Sequence, residues 1–135
     1  MSSAAAKKAR PKYLSLTALL FEIRLPLPGW VSILHRVSGL LLFFPLTVWL
    51  LYLLDASLAS EQAFQHVRDT YLQLPVAKLG LLVFVWAFSH HFCAGIRFLL
   101  LDIDKGIELK AARASSVAVL VVSLAITLLV GVKLW

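Results

Sequence analysis

Three apolar runs dominate the chain, roughly at residues 33–54, 76–101 and 115–134. A helix needs about 20 consecutive apolar residues to cross the hydrocarbon of a bilayer, so each run predicts one membrane-spanning helix. Polar segments separate them: a connector from Asp55 to about Pro75, and a short charged connector from Asp102 to Arg113. Neither is large enough to be a separate soluble domain. Between Arg10 and Gly29 the pattern changes, because Pro11, Pro26, Pro28 and Gly29 punctuate the chain and forbid one continuous helix. The apolar stretch Leu14 to Ile23 is expected to lie along the membrane surface or pack under the bundle. The Pro26 to Gly29 segment is expected to turn the chain into the first span. A signal peptide is not expected, since the first apolar run begins about 30 residues in, is too long for a signal core and is followed by no small-residue cleavage pattern. The predicted fold class is therefore all-α integral membrane. It comprises three transmembrane helices and a short N-terminal interfacial segment in one membrane-anchor domain, residues 1–135.

Composition agrees, with 61% hydrophobic and 15% charged residues. The net charge of +6 raises nucleic acid as a partner, but its placement argues for a bilayer instead. Lys7, Lys8, Arg10, Lys12, Arg24 and Arg36 precede or open the first span, and Arg97, Lys105, Lys110 and Arg113 surround the second connector. Asp55, Glu61 and Asp69 mark the opposite side. The positive-inside rule then puts the N-terminus and the second connector in the cytoplasm and the C-terminus outside. A bacterial inner membrane is expected ahead of a mitochondrial one, because the acid-poor N-terminus is short and poor in arginine for a transit segment. Trp30, Tyr52, Tyr71 and Trp135 fall near span ends, where amphipathic rings meet headgroups. The lone Cys93 excludes an intrachain disulfide and is expected to be a small packing residue.

Ionisable residues at bilayer depth are costly and mark functional positions. At the entrance to the first span, Ser32, His35, Arg36 and Gly39 stand at i, i+3, i+4 and i+7 and share one side of a helix. A forked guanidinium, an imidazole and a hydroxyl there can hold an anionic or carbonyl-bearing ligand. Snorkelling of Arg36 to the headgroups is the plainer alternative, but it leaves Ser32 and His35 unexplained.

The second run carries His90 and His91 near its middle. Zinc is a poor candidate, because no further His, Cys or carboxylate lies at matching depth. Haem iron needs only one or two axial ligands, and imidazole is a common one. Gly80, Ala87, His91, Ala94 and Gly95 form a stripe of small residues that would let a macrocycle approach the backbone, although such stripes also serve helix packing. His90 is rotated about 100° away, beside Val83, Trp86 and Arg97, which makes His91 the candidate axial ligand. Arg97, His35 and Arg36 are candidate propionate contacts. Adjacent histidines cannot clamp one iron from both sides, His66 lies in the outer connector, and His35 is expected at another depth. A six-coordinate haem would thus take its second ligand from another polypeptide, which makes the chain part of a hetero-oligomeric helix bundle.

Ser32-Ile-Leu-His-Arg-Val-Ser-Gly39, followed by His91-x3-Gly95-Ile-Arg97-x4-Asp102, resembles the two signatures of the cytochrome b membrane anchor of succinate dehydrogenase, Complex II. The resemblance covers nearly the whole chain, including Arg10-Pro11. It implies a non-catalytic anchor that binds haem b with a second membrane anchor supplying the opposite haem ligand, and that docks an iron-sulfur subunit and a flavoprotein subunit. Electrons would pass from succinate to ubiquinone. By position it implies His91 as the ligand of the haem iron, His35 and Arg36 as propionate contacts, and Ser32 and Arg36 as quinone-site residues. Where the family often has a second histidine after Gly-Ile-Arg, this chain has Phe98. A fumarate reductase anchor shares the architecture with reversed electron flow. A haem-free packing or transport protein would use the same polar residues as helix glue, although the acid-poor middle of all three spans argues against an ion path.

Overall fold

The computed structural model describes residues 24–135 together with Ser15, Thr17 and Ala18. The expected interfacial segment at Leu14 to Ile23 lies outside the described residues. Three helical segments are long and apolar enough to cross a membrane: Leu27–Leu58, Pro75–Asp102 and Leu109–Leu134. Among the described residues the chain is otherwise short helices and turns, with no strand. It is an all-α, multi-pass membrane protein.

The first span opens with α1 (Leu27–Leu41), which starts earlier than the apolar run suggests. Pro26 is its N-cap residue and Pro28 sits in its first turn, where a missing N–H leaves no helical bond unmade. Gly29 and Trp30 donate their N–H groups to the Pro26 carbonyl at 2.8 and 3.3 Å. The expected Pro26 to Gly29 turn is thus the first turn of the helix itself. Pro45 then breaks the regular ladder, because it has no N–H and its ring crowds the preceding turn. The chain answers with a π-turn at Leu42–Leu46, and the Thr47 backbone N–H and hydroxyl both reach the Leu42 carbonyl. Regular geometry resumes in α2 (Thr47–Leu58).

The outer connector holds α3 (Glu61–Asp69), capped by Ser60, whose hydroxyl accepts from the Ala63 N–H at 3.1 Å. A 3₁₀ turn at Tyr71–Gln73 leads to α4 (Pro75–Asp102). Asp104 and Gly106, both with left-handed backbone at φ 59 and 76, close the tight link to α5 (Leu109–Leu134). The spans alternate in direction, so the α1 entrance and the α4–α5 link share one end of the bundle, and α3 lies at the other.

The three spans pack through small contacts. Val31 of α1, Ala94 of α4 and Val119 of α5 form the buried cluster, with Cys93, Phe98 and Leu120 against it. Helix α5 presents Ser116, Val119 and Ser123 at i, i+3 and i+7. The two serine hydroxyls are satisfied by their own helix, through the Ala112 carbonyl at 2.7 Å and the Leu120 carbonyl at 3.1 Å. Small side chains whose polar atoms are bonded internally let backbones approach closely in lipid. Gly80 does the same for Trp49, since a Cβ there would stand 3.0 Å from the indole. Ala87 and Ala94 are fully buried within the chain. Much of the small-residue stripe on α4 is therefore closed by the chain's own helices rather than left open to a flat ligand.

Candidate functional site

The candidate side chains gather where α1 crosses α4, and the helical period explains which of them face outward. On α4 the buried positions Ala87, His90, Ala94 and Arg97 form one arc. His90 is at its centre, and His91, about 100° further round, lies at its edge. His90 is fully buried, stacked on Trp86 with ring centroids 5.6 Å apart, and neither ring nitrogen has a partner among the described residues. His91 is half-buried and reaches across to α1. On α1, Val31 and Ser38 are buried, Arg36 is exposed, and Ser32, His35 and Gly39 fall between. The boundary between protein interior and bundle surface thus runs along the line that carries Ser32, His35 and His91.

The expectation that His35 sits at a different depth from His91 is overturned. The two rings stack in parallel, with centroids 4.2 Å apart and planes 10° apart. His91 Nδ1 lies 3.1 Å from the His35 carbonyl and 3.4 Å from Ser38 Oγ, and the Ser38 hydroxyl itself donates to that carbonyl at 2.9 Å. A carbonyl only accepts, so this bond requires the proton on Nδ1 and leaves Nε2 as the lone-pair nitrogen. Metal-ligating histidines are commonly oriented by such a backbone carbonyl. Gly39 makes the approach feasible, since a Cβ there would come within 2.9 Å of the His91 ring. The position the sequence could not place, His35, owes its depth to this close helix crossing.

His35 is left with a buried Nε2 that has no partner among the described residues. It sits against Phe98, 5.1 Å between centroids, and near Gly95, whose missing Cβ would stand 3.8 Å from that nitrogen. Buried polar atoms are rarely left unpaired. An acceptor or donor from outside the described residues is what this nitrogen lacks.

Arg97 departs from its expected role beside His91. It is turned about 120° from that residue and reaches α5, where Nε donates to Ser115 Oγ at 3.0 Å and Nη2 to the Ala112 carbonyl at 3.4 Å. Arg36, by contrast, is exposed at the rim of the His35 site.

The donor set fits one axial imidazole and little else. Among the described residues no three His, Cys, Asp or Glu groups converge as a metal cage would require. Two imidazoles stacked face to face point their nitrogens alongside each other, so His35 and His91 cannot ligate one iron from opposite sides. A tetrapyrrole iron would find one ligand here, His91 Nε2, with His35 Nε2 and Arg36 available to its acidic substituents.

The family described as succinate dehydrogenase/fumarate reductase transmembrane subunit matches residues 7–130. The succinate dehydrogenase cytochrome b556 subunit of Coxiella burnetii is 34% identical over 126 residues, covering 93% of this chain and 97% of that one. Subunits of the same name from Rickettsia prowazekii and Rickettsia felis are 32% and 30% identical, covering 76% and 81% of this chain and 77% and 83% of their own lengths.

Proposed function

Because the chain belongs to the succinate dehydrogenase/fumarate reductase transmembrane subunit family, we propose that it is the haem b-binding anchor of a succinate:quinone oxidoreductase. In this reading it sits in a bacterial inner membrane with its N-terminus in the cytoplasm. A second membrane anchor supplies the other haem ligand, and the iron-sulfur and flavoprotein subunits dock at the basic end that carries Arg24, Lys110 and Arg113. The observation that carries the proposal is the α1–α4 crossing: His91 Nδ1 is held by the His35 carbonyl while His35 Nε2 is buried and unpaired.

His91 is the ligand of the haem iron through Nε2, and His35 with Arg36 meets the propionates. Haem b, when bound, supplies a one-electron store whose potential follows its axial ligands and burial. Ubiquinone lies against Ser32 and Arg36. The Ser32 hydroxyl donates to a quinone carbonyl, and the fixed charge of Arg36 favours the negative charge that develops on that oxygen as electrons arrive. Both groups stand near the cytoplasmic surface, from which water can deliver protons.

Ser32→Ala and Arg36→Ala in the purified complex are expected to lower quinone reductase activity by about a hundred-fold to a thousand-fold, the scale of losing one positioned donor, and to lower haem content far less. His91→Leu is expected to remove or shift the b-type absorbance in a reduced-minus-oxidised spectrum. Unchanged quinone reduction in Arg36→Ala would remove the quinone assignment. A featureless spectrum from an intact complex would remove the haem.

A further inference from the structure

At the end of the bundle that holds the charged link, α4 and α5 part to leave a cleft of ≈ 230 Å³. Its polar lining is Arg97, Lys105 and Ser115, and its apolar lining includes Cys93, Ile96 and Ala118. Those last three residues also line an adjoining apolar groove of ≈ 210 Å³ that runs on to Val122. Polar mouth and apolar groove are therefore one continuous furrow along the α4–α5 seam.

Arg97 makes the cleft more than a packing defect. The residue is 6% exposed and lies within a membrane span, and among the described residues its guanidinium is bonded only to neutral partners, Ser115 and the Ala112 carbonyl. The only salt bridge among the described residues is Arg68–Asp69, at the far end of the bundle. A buried charge without a counter-charge is costly. Lys105 adds a second cation at the mouth. The carboxylates of the link, Asp102, Asp104 and Glu108, are exposed and do not line the cleft. The furrow's reach also has a natural length. On α5 the lining runs from Ser115 to Val122, about 10 Å at 1.5 Å per residue, which fits within one leaflet of a hydrocarbon core about 30 Å thick.

We infer that this furrow binds an anionic glycerophospholipid, its phosphate against Lys105 and Arg97 and one acyl chain along Cys93, Ile96, Ala118 and Val122. Charge complementarity selects the headgroup, and the apolar continuation selects a lipid over a free anion. Basic clefts between helices near the cytoplasmic surface have the chemistry for such headgroups. The site lies on the opposite flank of α4 from His91 and stands apart from the haem and quinone assignments.

The test uses the complete complex purified through this chain, reconstituted in nanodiscs of equal phosphatidylglycerol and phosphatidylethanolamine and released for native mass spectrometry. Lys105 and Arg97 together predict roughly thirty-fold enrichment of the anionic lipid among retained molecules, and Lys105→Gln should lower it roughly five-fold. Lys110→Gln, an exposed cation of the same end that does not line the cleft, should leave it unchanged. Ala118→Phe, which fills the groove, should abolish retention of the anionic lipid in a complex of otherwise correct mass; if that variant fails to assemble, the Lys105→Gln comparison decides. Equal retention of both lipids, no effect of Lys105→Gln, or no lipid on an intact complex, as when a partner helix covers the seam, would each overturn the inference. Displacement of the lipid by inorganic phosphate would overturn its acyl-chain part.

Discussion

Gly39 has a role that its place in an apolar helix does not advertise: it is the point where the His91 ring comes closest to α1. Gly39→Ala would put a methyl group 2.9 Å from that ring. Because a side chain can turn aside where backbone cannot, the expected outcome is a re-aimed imidazole with modest loss of stability, about 1–3 kcal/mol. In the proposed haem site this should appear as a shifted or weakened b-type spectrum in a complex that still assembles. Ser38→Ala tests the same orientation more gently, since it removes a second contact to His91 Nδ1 while the His35 carbonyl remains. In the sequence, spacing to small residues favours His91 over His90 as the candidate ligand. The physical basis of that preference is different from the one the stripe suggested. Ala87 and Ala94 are consumed by packing, and His91 is singled out because it stands at the edge of the buried arc. The pairing of His35 with His91 was not legible, because residues 56 positions apart meet only through the way two helices cross.

Elements were read well where hydropathy speaks and poorly where single polar residues decide. All three spans appear where the apolar runs put them. Their starts moved outward, to Leu27 and Leu109, because helices continue into polar flanks when backbone bonds can still be made. The polar connector conceals α3, whose start is set by Ser60. Ser60→Ala should cost about 1 kcal/mol of local helix stability, seen as faster amide exchange across Glu61–Asp69, without change at the α1–α4 crossing. At the end of α3, two hydrogen bonds from the Arg68 guanidinium, helped by its charge, hold the Asp69 carboxyl below its usual range. A depressed folded-state value means that the pair contributes stability above the ordinary carboxylate range and loses it as pH falls through the lowered value. Asp69→Asn should therefore flatten the acid-side dependence of α3 exchange rates, by a small amount, since both side chains are exposed and screened.

At the scale of the molecule, the spans bury little of themselves: between 11% and 22% of each most apolar window lies inside the structure. Lipid covers such surface at no hydrophobic cost, so apolar exposure alone does not demand a partner. The His35 nitrogen, unpaired among the described residues, calls for one, because hydrocarbon offers no hydrogen bond. The chain expressed alone is therefore expected to insert as three spans but to lack the low-spin signature of a six-coordinate haem in magnetic spectroscopy, and to gain it on co-expression with the second anchor. A low-spin, six-coordinate haem on the isolated chain would contradict the geometry at His35 and His91.

The sequence by itself determined the class, the number of spans, the family and the short roster of residues worth testing. Each of these follows from local properties, namely hydropathy over about 20 residues, charge at the flanks and short ordered motifs. The tertiary structure alone decided which way those residues turn. Ridge-into-groove packing of α4 against both neighbours faces His91 toward His35 and Arg97 toward Ser115. It places Gly39 at the closest approach and opens the furrow between α4 and α5. A helical period sorts residues onto faces, but it does not say which face meets another helix, which meets lipid and which is left open for a ligand. That assignment is made when three helices pack at once, and it separates His91 from Arg97 on a helix whose sequence lists them six residues apart.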